Sequence, residues 1–173
     1  MASNLAEVVL YISRKSEGDP AFGTTKLHKI LFLADFYAFG MWGEPITDTR
    51  YKRYAKGPFA ISLKNAENEL VSQNRARVEE RQYFDYTQRR IVATDEPHLS
   101  LREEQIKLLD QAIDALGCAN ATGVSNWSHQ LRPWLHANAN EDIPYHTVFI
   151  LHDEPITLDD LEWGETKLRE MHV

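Results

Sequence analysis

The chain is 173 residues long, carries a formal net charge of −7 and holds a single cysteine, Cys118. One cysteine excludes an internal disulfide framework and fits a reducing compartment, so a cytoplasmic location is expected. No charged-then-apolar leader opens the chain, and the longest strongly apolar stretch, Ile30 to Ala34, is far too short to cross a bilayer, so neither a signal peptide nor a membrane span is expected.

The chain reads as a series of helices. Ser3 or Asn4 caps the first, where Leu5, Val8, Val9 and Ile12 follow a core-facing i, i+3, i+4, i+7 spacing. Gly18, Asp19 and Pro20 end it. The second starts at Thr24 or Thr25 and is apolar nearly all round: Leu27, Ile30, Leu31, Ala34 and Ala38 are widened by Phe32, Phe36 and Tyr37. Such a helix sits in the middle of a fold, and Gly40 is its natural stop. From Arg50 to Lys56 the sequence turns basic and aromatic, an extended arm or short strand with Arg50, Lys52, Arg53 and Lys56 around Tyr51 and Tyr54. Gly57-Pro58 then opens a third helix, with Leu63, Ala66, Leu70 and Val71 inward.

Residues 77–93 change period. Val78, Tyr83, Phe84, Tyr86, Ile91 and Val92 are strand formers, and residues 85–88 supply a turn, so a β-hairpin is expected. Ser100 to Glu103 reads as a capping box opening a helix that Gly117 stops. A short helix follows over 124–131, closed by Pro133. Residues 145–151 fit strand or helix, and a final helix runs from Leu158 to Met171, capped by Thr157. The fold class is therefore α+β, mostly α: a single-domain helical bundle of about six helices with one small hairpin.

Charge divides the chain. Residues 1–137 hold 17 Lys+Arg and 17 Asp+Glu, whereas 138–173 hold 2 and 9. We therefore take 1–137 as the domain body and 138–173 as an acidic C-terminal segment, packed on the same domain. The segment reads as a solvated face or as a cover for a basic surface.

The search for catalysis is negative. His129 and His136 share a helical spacing, but Pro133 between them breaks the register. HExxH, paired Cys-x-x-Cys, calcium-loop, phosphate-loop and nucleophile-elbow motifs are absent from the sequence. Cys118 lies by a helix C-terminus, where the dipole makes a poor nucleophile. Ser128 and His129 are neighbours, but adjacent helical side chains diverge by about 100°. Neither an enzyme, a cofactor nor a metal site is expected. Lys26 and Lys29 carry two readings: a cationic contact at a helix mouth, or snorkelling stems that cover apolar surface with wet heads. Trp127, Leu131, Trp134 and Leu135 read as core.

Lys26-Leu27-His28-Lys29-Ile30-Leu31, Pro45-Ile46, Lys56-Gly57-Pro58-Phe59, Leu99-Ser100, Ser128-His129 and Trp134 occur in the order and spacing of the Panacea domain. From about residue 5 to 137 the chain resembles the SocA-like and GepA-like antitoxins of bacteria and phages. The resemblance implies a small domain that neutralises a cognate toxin, usually encoded beside it, by direct contact. It also implies, in one branch, delivery of the toxin to an ATP-dependent protease. An added DNA-binding domain, present in some relatives, is not expected here. The resemblance implies diverse toxin partners, so the family alone does not identify this one.

The expected partner-binding residues are Lys26, Lys29, Arg50, Tyr51, Arg53, Lys56, Gly57 and Pro58. The structural motif is carried by Leu27, Ile30, Ser128, His129 and Trp134. The alternative function is a nucleic-acid-binding regulator that uses the arm 50–56 and the arginines of the hairpin 75–93. A pI near 5.5 argues against it.

Overall fold

The computed structural model describes residues 4–83, 86–117 and 119–150, together with Glu162, Thr166 and Arg169. The readings of Cys118 and of the final helix fall outside these residues, apart from the three tail residues, which are helical.

Among the described residues, six bounded α-helices and two hairpins follow in order. They are α1 (Asn4–Lys15), α2 (Thr24–Trp42), β1 (Tyr51–Tyr54), β2 (Gly57–Ala60), α3 (Leu63–Ser72), β3 (Ala76–Tyr83), β4 (Tyr86–Ala93), α4 (Glu103–Gly117), α5 (Ala121–Ser128) and α6 (Arg132–His136). A 3₁₀ turn, Tyr145–Phe149, closes the described body. The class is the expected one, mostly α with a minor β part.

Helix α2 is central, as its composition demands. Every residue from Lys26 to Phe36 is buried, and α4, β2, the 3₁₀ turn, α5 and β4 all pack on it. Helix α1 lies on α3 and β4 and buries Leu5, Val8, Val9 and Ile12.

Several local expectations are corrected. Helix α2 runs past Gly40 to Trp42 and ends at Gly43, whose φ of 76° is left-handed and whose N–H reaches Phe39 O. Gly57-Pro58 does not open a helix. It begins β2, paired antiparallel with the arm so that Arg53 faces Pro58 and Tyr54 faces Gly57. The described residues thus hold two hairpins rather than one, because an arm too short for a helix found a partner strand directly after it. Val71 is exposed. Tyr86, Thr87 and Gln88 belong to β4, with Tyr83 opposite Tyr86. The cap of α4 lies at Arg102, whose N–H donates to the Gln105 side chain at 3.0 Å, two residues beyond the expected box. Pro133 opens α6 instead of closing a helix. Leu135 is exposed, whereas Trp127, Leu131 and Trp134 pack against the core.

Candidate functional site

The expected site residues converge where α2 meets the β1–β2 hairpin, but most of them face inward. Lys26 is 1% exposed and donates to Asp19 Oδ2 at 2.6 Å and to Gly117 O at 3.2 Å. It ties the α1–α2 loop to the end of α4. Lys29 is 3% exposed and donates to Pro58 O at 3.1 Å. Burial, with the charge of Lys56 nearby, pulls its pKa down to about 8. Both ammonium heads lie inside the fold, so neither the snorkelling reading nor the helix-mouth contact reading holds.

His28, between them, accepts the Ala60 N–H on Nδ1 at 3.0 Å and lies against Phe59 with ring centroids 4.1 Å apart. Burial, helped by Lys29, pushes its pKa down to about 3. The ring is therefore neutral at pH 7, with its proton on Nε2 and Nδ1 free to accept. Leu27 and Ile30 fill the core between these polar clamps.

Tyr51 is 1% exposed. Its ring meets Phe32 and Phe36 edge-on, at 5.2 and 5.8 Å, and its hydroxyl donates to Asp35 Oδ2 at 2.7 Å. Asp35, fully buried, also accepts the N–H groups of Ile46 and Thr47 at 2.9 and 2.8 Å. Burial pushes its pKa up to about 6, against the pull of these donors. Asp35 thus pins the loop that leads from α2 into β1. Sequence reasoning gave it no role, although it is the first acidic residue in a long apolar helix. A carboxylate in such a place needs internal donors.

Helix α5 grips the hairpin turn. Gly57 has φ of 99°, and a Cβ there would stand 2.3 Å from Ser128 Oγ and 2.8 Å from Lys29 Cε. Ser125 Oγ donates to Lys56 O at 3.2 Å, and Ser128 Oγ donates to Ser125 O at 2.8 Å. Ser128 is thus a packing residue at the turn.

A cation–aromatic stack holds the other edge. The Arg53 guanidinium lies 4.0 Å from the Trp134 ring centroid, and His129 stacks on Trp134 at 4.2 Å. Arg53 Nη1 donates to Ala137 O and, at 3.3 Å, to Leu135 O. Residues 140–143 line the free edge of β1: Arg53 N donates to Glu141 O, Asn140 N to Arg53 O and Ile143 N to Tyr51 O, at 2.8–2.9 Å. Asp142 pairs with Arg50 at 2.8 Å. The start of the acidic segment therefore covers part of the chain's own basic arm.

What remains outward is a short list: Arg50, Lys52, Tyr54 and Lys56, with Lys52 half-buried. Beside Lys56 a cleft of about 540 Å³ opens between the start of α2, β4 and α5, lined among others by Thr25, Arg89, Ser125 and His129. The arginines of the second hairpin are matched or buried. Arg75 bonds Glu7 and Asp95, Arg77 and Arg81 bond Glu79, and Arg89 bonds Glu67. Arg90 is 3% exposed, against Phe22. Among the described residues no cluster of three or more His, Cys, Asp or Glu side chains could hold a metal, and no helix is long and apolar enough to cross a membrane.

The site is thus a central apolar helix clamped by its own polar residues, Lys29, His28 and Asp35, to a small hairpin and the loop before it. The sequence model described as Antitoxin SocA-like, Panacea domain, matches residues 27–135, more than half of the chain, and the protein belongs to that family. No curated protein and no solved structure matches the chain.

Proposed function

We propose that this protein is an antitoxin that binds and neutralises a cognate toxin protein by direct contact, through the outward face of the β1–β2 hairpin. The observation that carries the reading is the family match, whose span of 27–135 takes in the hairpin, Lys29 and Ser128. Within that span most of the recognisable motif residues, Leu27 to Leu31, Gly57, Pro58 and Ser128 among them, are buried and serve as scaffold. Partner choice then falls to the side chains the scaffold holds outward, Arg50, Lys52, Tyr54 and Lys56, and to the cleft beside Lys56. Lys26, Lys29, Tyr51, Gly57 and Pro58 act in binding by fixing the shape of that face. Aromatic and cationic groups on a rigid support suit an acidic protein surface, since little side-chain order is lost on contact.

The pairing of the second hairpin's arginines with carboxylates favours a protein partner over a nucleic acid, because those charges are already neutralised. Co-expression with the product of the adjacent gene tests the reading. The expected result is a toxic neighbour, rescue of growth and a co-purifying complex. A harmless neighbour that does not co-purify overturns it. Delivery to an ATP-dependent protease is the finer variant of the same reading. Rescue that disappears in cells lacking the protease, while the complex still forms, selects that variant over sequestration.

A further inference from the structure

Among the described residues, three of the four outer strand edges are closed by the chain's own groups. In the first hairpin Ile61 N donates to Arg50 O. That contact sets the hydrogen-bonding phase and turns the backbone polar groups of Tyr51, Arg53, Pro58 and Ala60 away from the paired strand. Residues 140–143 bond those of Tyr51 and Arg53, while Lys29 bonds Pro58 O and His28 bonds Ala60 N. In the second hairpin Thr94 N donates to Arg75 O, one step beyond the Ala76–Ala93 pair. The alternation then turns Arg89 outward on β4, and Val78 and Glu80 outward on β3. Thr24 Oγ1 donates to Arg89 O at 2.9 Å and covers the β4 edge. Among the described residues no hydrogen bond reaches the outward N–H and C=O of Val78 or Glu80. An eight-residue strand left open beside three closed ones is a template for another strand.

The side chains of β3 select that strand. Arg77, Glu79 and Arg81 alternate along one face, and the Nε of each arginine donates to Glu79 at 2.8 Å. The arginine side chains remain 60% and 53% exposed. Glu80, on the other face, lies opposite Arg89. An apolar strand, or one of a single charge sign, leaves this pattern unmatched. A second copy matches it when antiparallel and suitably offset.

We propose that β3 pairs with β3 of a second copy of this chain, antiparallel about a two-fold axis at Val78. The outward groups of the two Val78 residues then bond each other. Arg77 of each copy faces Glu79 of the other, and Glu80 faces Ala76, so no like charges stand opposite within the overlap. Centring the pair on Glu79 sets Glu79 against Glu79 and Arg77 against Arg81. Centring it on Glu80 sets Glu80 against Glu80. Like charges directly opposite are destabilising, which disfavours both. The contact is isologous and joins two hairpins into one four-stranded sheet. It is small and works against a net charge of −7 on each chain, so the Kd is on the order of tens of micromolar. The inference concerns only copies of this chain and does not rest on the antitoxin reading.

Disulfide trapping and sedimentation velocity test it. A hydrogen-bonded antiparallel pair sets Cα atoms about 5.5 Å apart, within disulfide reach. V78C in a C118S background should therefore form a crosslinked dimer on mild oxidation, and E80C should not. The wild type should sediment as a concentration-dependent mixture of monomer and dimer. E79R sets arginine against arginine and should raise the Kd about tenfold or more. R77E/E79R restores the opposition and should return the Kd to within about threefold of the wild type. The ion pairs altered within one chain are surface pairs of small worth, so circular dichroism should show every variant folded. A wild type that stays monomeric up to about millimolar concentration overturns the proposal. So does a dimer indifferent to E79R, or crosslinking in E80C instead of V78C. Exchange protection of the Val78 and Glu80 amides that appears only with the adjacent gene's product assigns the edge to that partner and overturns it as well.

Discussion

Lys29 of α2 donates its ammonium to the carbonyl of Pro58 at 3.1 Å, within a core that leaves it 3% exposed. Its acceptor is a backbone carbonyl rather than a carboxylate, and Lys56 adds a like charge nearby. The contact therefore fixes the hairpin on the helix at a cost in solvation, not at a gain. A buried cation retained in this way specifies position more than it stabilises.

The sign of that cost is measurable. The folded pKa is about 8 against an ordinary 10.5, so between these values the unfolded chain binds the extra proton. Stability then rises with pH through this window. The wild type should gain about 2–4 kcal/mol relative to K29M between pH 8 and 10.5. Urea unfolding of both proteins across that range checks it. A pH-independent difference would show that the ammonium is not held as described.

Gly57 is the tightest point of the clamp. Its φ of 99° and the closeness of Ser128 Oγ and Lys29 Cε leave no room for a side chain. G57A should cost about 2–4 kcal/mol through backbone strain and overlap. Adding S128A should recover part of that loss, a non-additivity expected of touching residues. Thermal unfolding of the two single variants and the double variant gives the coupling. Strictly additive losses would place Ser128 away from this glycine.

Much of this was legible in the sequence and some was not. The central position of α2 followed from its lack of a polar face, and the second hairpin from its change of period. The β1–β2 pair was missed because Gly57-Pro58 is a strong helix-opening signal, and only tertiary contact makes Pro58 a strand residue. The cluster Arg50 to Lys56 looked like one cationic surface. In the fold Tyr51 turns into the core, Arg53 folds over Trp134, and Arg50 meets Asp142. Linear charge density does not reveal which side chains a strand turns inward. Lys26 and Lys29 misled for a related reason. Lysine is rarely fully buried, and the acceptors that bury these two, Asp19, Gly117 and Pro58, include residues distant in sequence.

His28 should make the fold acid-sensitive. Its folded pKa near 3 lies below the ordinary 6.5, so the unfolded chain takes up a proton first as pH falls, and stability drops from about pH 6.5 towards 3. Asp35 acts in the opposite direction, since its pKa near 6 lies above the ordinary 3.8. It favours the folded state as pH falls through that window. The two effects offset each other between about pH 6 and 4, and His28 alone continues below. H28N keeps an acceptor near Nδ1 for the Ala60 N–H and cannot titrate. Relative to H28N, the wild type should lose several kcal/mol between pH 6.5 and 3, at about 1.4 kcal/mol per unit. Acid unfolding followed by circular dichroism compares them, and parallel curves would sink the assignment.

Scaffold and contact surface should separate under mutation. Lys52 and Lys56 point outward and Asp35 is fully buried. K52E/K56E should therefore change stability by no more than about 0.5 kcal/mol, yet weaken capture of the adjacent gene's product by about tenfold or more if an acidic surface docks there. D35A should do the reverse at its origin. It orphans the donors of Ile46, Thr47 and Tyr51, costs about 3 kcal/mol or more, and lowers binding only as far as folding is lost. Titrating the partner against each variant at matched folded fraction separates the two effects. Undiminished affinity in K52E/K56E moves the interface off the hairpin face. A binding loss in D35A larger than its unfolded fraction means that the loop 46–49, which Asp35 holds, belongs to the contact surface itself.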